Sequence, residues 1–154
     1  MLIEKEYYKE IIKTTIIECV DLILLNSKNK ILLWLRNNNP LKWIYHIPGW
    51  RRYKNELLLD SVKRKAYEEL WIHICTDKLI FLWIYDDIYP NSMFEWIDSH
   101  YSSITYVYHI DKDEENNIKK DKQHSNLKFF DINDKMINDI VQIRIKDMKK
   151  NQII

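Results

Sequence analysis

Glycine occurs once among the 154 residues, at Gly49. Average usage of about 7% would supply roughly eleven. Glycine takes positive φ without steric cost, so tight turns and helix C-caps normally draw on it. A chain with a single glycine must therefore place side chains where a fold usually has none. Alanine is also single, while Ile, Lys and Asn are abundant, a pattern that suits an AT-rich gene. That bias explains too little Gly. It does not explain six tryptophans.

The rest of the composition bounds the class. At 19.0 kDa, with 46% hydrophobic and 13% aromatic residues, the chain has enough apolar material for one folded domain, expected over 1–154. Twenty-four basic residues against 23 acidic ones leave a net charge of +1, with no case for nucleic-acid binding. Cys19 and Cys75 are too few for a disulfide framework. The N-terminal MLIEKEYYKE has no apolar signal core, and no apolar run approaches the ~20 residues of a membrane span. The expectation is a soluble cytoplasmic protein with neither membrane nor nucleic acid as partner.

Pattern reading predicts a helix over 4–14, strands over 16–25 and 31–35 around an Asn26–Asn29 turn, and a short strand over 43–47 stopped by Pro48-Gly49. A polar loop over 50–56 leads to a helix at 57–71. Strands follow near 79–85 and 101–110, then a charged loop over 111–126, a strand over 127–130 and a helix over 132–148. Strands interleaved with helices predict an α+β or α/β/α sandwich.

The 57–71 helix has a carboxylate in an unexpected place. With Val62 at zero and roughly 100° per residue, Leu58, Ala66, Leu59 and Leu70 fall between about −40° and +80°. Glu69 falls at about −20°, inside that apolar stripe, and Glu68 at about −120°, outside it. A carboxylate on a buried stripe must be paired, hydrogen-bonded or metal-bound. Lys65, one turn earlier, is one answer, and a metal ion is the other.

From Trp50 to Ile72 the chain resembles the Nudix box, Gly-x5-Glu-x7-Arg-Glu-U-x-Glu-Glu-x-Gly-U, where U is bulky and aliphatic. Glu56, Arg64, Glu68, Glu69 and Ile72 match in register. Trp50 and Trp71 stand where the box has Gly, and Lys65 stands where it has its first helix Glu. The GDP-mannose mannosyl hydrolase subfamily also lacks that Glu. The chain resembles this subfamily further at Val20–Ile23, Leu32–Arg36, Pro40, Ile47–Arg51, Ser99–Tyr101 and Gln123-His124.

The resemblance implies a Nudix-type α/β/α sandwich with a mixed sheet. It also implies Mg²⁺-dependent hydrolysis of a GDP-sugar, GDP-mannose first, by water attacking the sugar C1. Carried over by position, Mg²⁺ (with Mn²⁺ as a substitute) is held by the Gly49 carbonyl, Glu69 and Gln123, with Glu68 secondary. His124 is the general base, and Arg36 and Arg51 bind the diphosphate. Asp21 and Tyr101 line the substrate site, and Asp87 replaces a family His near the sugar. His46, His73, His100 and His109 carry no role in this reading. The subfamily is dimeric, so a homodimer is expected. Competing readings are an ordinary Nudix pyrophosphohydrolase, against which Lys65 and Gln123-His124 argue, and an impaired Nudix domain that only binds nucleotide. All six tryptophans (Trp34, Trp43, Trp50, Trp71, Trp83 and Trp96) align with glycines of the subfamily. UGA is read as Gly in some bacteria and as Trp in others, so the expectation is a Gly-coding UGA at each of the six positions.

Overall fold

The run Ile17–Leu25 carries apolar side chains at both parities, as a strand covered on two faces must. In the computed structural model, which describes residues 3–120 and 126–154, this run is β1, the centre of a mixed sheet. Among the described residues the other strands are β2 (Ile31–Leu35), β3 (Tyr45–His46), β4 (Gly49–Arg51), β5 (Ile80–Tyr89), β6 (Ser99–His109) and β7 (Leu127–Phe130). The order is β3-β2-β1-β6-β5, with β4 added on β1 and β7 on β2. Among the described strands only β1 and β6 pair in parallel. The helices are α1 (Lys5–Thr14), α2 (Leu58–Leu70), α3 (Lys112–Lys120) and α4 (Asp139–Lys150).

Strand parity sorts the core into two layers. Val20, Leu22 and Leu24 pack with Val62, Ala66 and Leu70 of α2. Ile23 and Leu25 pack on the other face with Val141, Ile145 and Met148 of α4. The α/β sandwich expected from the sequence is therefore present. Asp21 has the parity of Ile23, so its carboxylate belongs to the α4 face. No helix among the described residues is long and apolar enough to cross a membrane.

Several boundaries differ from expectation. Segment 111–126, read as a charged loop, contains α3. Asp111 Oδ1 accepts from the Asp113 and Glu114 amides at 2.9 and 2.8 Å, and Glu114 Oε2 accepts from the Asp111 amide at 2.9 Å. This capping box starts the helix, and Ile118 anchors it in the core. Helix α4 begins at Asp139, not 132, because Asn138 accepts from the Val141 amide as its N-cap and the side chains of Asp131 and Asp134 close turns before it. The strand expected over 43–47 shrinks to Tyr45–His46, since Trp43 turns at φ 66°. Trp50 and Arg51, placed in the 50–56 loop, form β4 with Gly49 and pair with β1. Strand β5 runs on to Tyr89 and carries Asp86 and Asp87 opposite Ser102 and Tyr101. Leu59, placed on the α2 stripe, is exposed.

Candidate active site

The ends of β1, β4, β5 and β6 on the α4 face surround a cavity of about 220 Å³. It collects Asp21, Arg36, Gly49, Arg51, Asp87 and Tyr101, residues far apart in the chain. The sheet register does this. Cys19 and Asp21 on β1 stand beside Ser103 and Thr105 on β6 and opposite Arg51 and Gly49 on β4. Asp87 on β5 pairs with Tyr101 on β6. Gly49 is the one position where a glycine's lack of a side chain is required for space. A Cβ there would collide with Asp21 Oδ1.

Charge in the cavity is graded with depth. Arg36 and Arg51 are partly exposed at its rim. The Arg36 Nε donates to the Pro40 carbonyl at 2.7 Å. The Arg51 guanidinium lies 5.5 Å from the Tyr8 ring and 5.3 Å from the Tyr53 ring. Farther in, Asp21 and Asp87 are buried. Both are held by Arg144 of α4, whose Nη2 donates to Asp87 Oδ2 at 2.6 Å and to Asp21 Oδ2 at 3.3 Å, while Nη1 donates to the Ile140 carbonyl at 3.2 Å. Burial pushes the Asp21 carboxyl up to about 7, with Arg144 working against that rise. Burial works against the Arg144 charge too, and the two carboxylates more than offset it.

Arg144 was missed in the sequence, although a signal was there. It is 1% exposed and shares a stripe with Val141, Ile145 and Met148, so it is a cation on a buried helix face. The test that singled out Glu69 would have found it. His46, to which the sequence reading gave no role, is buried and lines the cavity. The other three histidines lie outside the lining, with His100 bonded to Asp86 and His73 stacked on Tyr67.

The carboxylates of α2 do not line this cavity. Glu69 is half-buried and Glu68 is exposed, as the helical geometry predicts. Lys65 Nζ donates to Glu69 Oε1 at 2.9 Å and lies 3.2 Å from Glu68 Oε2, so the ammonium bridges both. Of the two partners open to Glu69, the lysine is present here. Glu56 and Arg64 form a bidentate pair at 2.5 and 2.9 Å, and Glu56 also accepts from the Tyr53 amide, so these two box residues clamp the loop before α2. Gln123 and His124 lie outside the described residues. Among the described residues no three His, Cys, Asp or Glu side chains gather as a metal site. The oxygen donors of Gly49 and Glu69 are nonetheless of the hard type that suits Mg²⁺.

One mixed sheet, with the glutamate-bearing helix α2 on one face and a charged cavity on the other, is the arrangement to be placed in a family. The NUDIX domain model matches residues 17–147, and the chain belongs to that family. A curated relative, the low-salt glycan biosynthesis protein Agl8 of Haloferax volcanii, is 32% identical over 130 residues, covering 84% of this chain and 80% of that protein. Among solved structures, the NUDIX domain of Shewanella oneidensis NrtR complexed with ADP ribose aligns with a TM-score of 0.64 at 17% identity, covering 98% of this chain and 99% of that one. A MutT NUDIX hydrolase from Burkholderia pseudomallei aligns with a TM-score of 0.64 at 18% identity, covering 85% of this chain and 96% of that one.

Proposed function

We propose that this Nudix domain hydrolyses a nucleoside diphosphate sugar, GDP-mannose in the first instance, to GDP and free sugar, working as a homodimer. The observation that carries the reading is the depth-graded charge of the cavity, with two arginines at the rim and two buried carboxylates below. Rim guanidinium groups suit a diphosphate, which needs several positive charges and bidentate donors. Buried acceptors suit the hydroxyls of a sugar. The name of the Haloferax relative ties it to glycan biosynthesis, and glycans are built from activated sugars. The NrtR domain bound to ADP ribose supports a nucleoside diphosphate joined to a sugar as the ligand class.

In this reading Arg36 and Arg51 bind the diphosphate and stabilise the charge that builds on it as the sugar leaves. Tyr101 and Asp21 position the sugar, and His124 takes the proton from the attacking water. The Gly49 carbonyl, Glu69 and Gln123 would hold Mg²⁺, with Glu68 secondary, and the Lys65 ammonium must then give up Glu69. Bound there, the ion supplies further positive charge to the leaving diphosphate. Lys65 holding both carboxylates is also the observation that favours the second reading, a domain that binds the nucleotide without turnover.

Incubation with GDP-mannose and Mg²⁺ in ¹⁸O-water tests this. Label in the sugar and none in GDP is the expected result. Label in GMP or in mannose phosphate means pyrophosphate cleavage. No turnover, with GDP-mannose still bound, means the binding-only reading.

A further inference from the structure

The inner end of the cavity gathers three side-chain acceptors, from His46, Asp21 and Asp87. His46 Nδ1 lies 3.0 Å from the Ile47 carbonyl, so that nitrogen carries the proton and donates. Its Nε2 is left as an acceptor and has no partner among the described residues. Burial holds the ring neutral, at about 4, so Nε2 does not become a donor at ordinary pH. Asp21 and Asp87 face the same space, and both already share the one guanidinium of Arg144. Above pH 7, where Asp21 is ionised as well, two carboxylates against one guanidinium leave a charge of −1 at the floor. Tyr89 and Tyr101 complete the wall, with their rings 6.0 Å apart, and burial holds both phenols protonated.

We propose that this floor is a specificity site for a neutral sugar, in which His46 Nε2, Asp21 and Asp87 accept hydrogen bonds from its hydroxyls and a sugar carboxylate is rejected. Arg144 is a positioning residue behind it, since it reaches the cavity only through the two carboxylates. The chemistry follows from the acceptors. A hydroxyl has a proton to give each of them. A uronate carboxylate has none, and above pH 7 it meets a negative floor, where low dielectric strengthens the repulsion. Unpaired buried acceptors cost free energy, so a ligand lacking the donors is discriminated against strongly.

This inference rests on the nucleotide-sugar reading, and the test separates the two. Calorimetry at pH 8, with Ca²⁺ replacing Mg²⁺ to hold back turnover, compares GDP, GDP-mannose and GDP-mannuronate on the intact protein. GDP-mannose should bind about tenfold or more tighter than GDP, and GDP-mannuronate no tighter than GDP. His46→Phe should lower the GDP-mannose to GDP affinity ratio about tenfold, and His46→Gln, which keeps a carbonyl acceptor, should retain most of it. Asp87→Asn should narrow the gap between mannose and mannuronate. If His46→Phe does not fold, the wild-type ligand series and Asp87→Asn decide. Equal binding of GDP-mannose and GDP-mannuronate, or GDP-mannose no tighter than GDP, overturns the specificity site and leaves the nucleotide reading standing. Absence of binding by GDP and GDP-mannose alike overturns both.

Discussion

Trp43, Trp71 and Trp96 hold φ of 66°, 56° and 62°, while the single glycine is not at positive φ. A left-handed conformation costs an L-residue roughly 1–2 kcal/mol, and glycine is free of that cost. None of the three repays it by burial, with exposures of 68%, 54% and 100%. Trp71 is the left-handed C-cap of α2, a position that glycine commonly fills. Trp83 is exposed beside the register shift of β5, and Trp34 and Trp50 bury an indole N–H with no partner among the described residues. Trp43→Gly, Trp71→Gly and Trp96→Gly should each stabilise the protein by about 1 kcal/mol, read as a rise in urea midpoint at constant m. UGG codons at the six tryptophans would remove the reading of these positions as glycine.

His46 sets a pH dependence at the same scale. Its folded value, about 4, lies below the ordinary 6.5, because burial disfavours the charged ring. Between those values the unfolded chain binds a proton that the folded one does not, so stability is lost as pH falls from 6.5 to 4. Asp21 acts in the opposite sense. Its folded value of about 7 stands above 3.8, so its contribution is present at low pH and is lost as pH rises through 7. The two nearly cancel between pH 4 and 6.5. Wild-type stability measured against His46→Gln isolates the histidine, and the difference should fall by about 2–3 kcal/mol from pH 7 to pH 4.

Helices α2 and α4 each place an ionised group on an apolar stripe, with different consequences. On α2 the group is Glu69, which remains half-exposed and paired with Lys65. With Mg²⁺ present, Glu69→Gln should lower kcat by orders of magnitude and weaken Mg²⁺ activation, and Glu68→Gln should do far less. Equal losses in steady-state kinetics would mean that both carboxylates serve the ion. On α4 the group is Arg144, fully enclosed between two acids. Removing one member of a buried charge cluster leaves the others uncompensated, so Arg144→Met should cost about 3–5 kcal/mol in denaturant unfolding. Asp21→Asn with Asp87→Asn in the Arg144→Met background should restore much of that loss.

At the scale of the whole molecule, the layers could be read from the sequence because β1 is apolar at both parities and α2 has a clear stripe. The cavity was legible in pieces. Asp21, Arg36, Arg51 and Tyr101 came from a resemblance, and the sheet register brings them together. Arg144 was not legible as a partner of Asp21, because 123 residues separate them and only the docking of α4 makes them neighbours. His46 escaped because a two-residue strand, Tyr45–His46, is too short to show a periodicity that would mark it. Helix α3 was missed because its charge was counted before its Asp111–Glu114 capping pair was considered.

The Arg144 contact also orders events during synthesis. Of the three, Asp21 leaves the ribosome first, Asp87 next and Arg144 last. Until α4 docks, the two acids that form the cavity floor have no cation between them and repel each other. A nascent chain whose sheet pairs before α4 docks therefore holds an unfinished floor, which the docking of α4 completes.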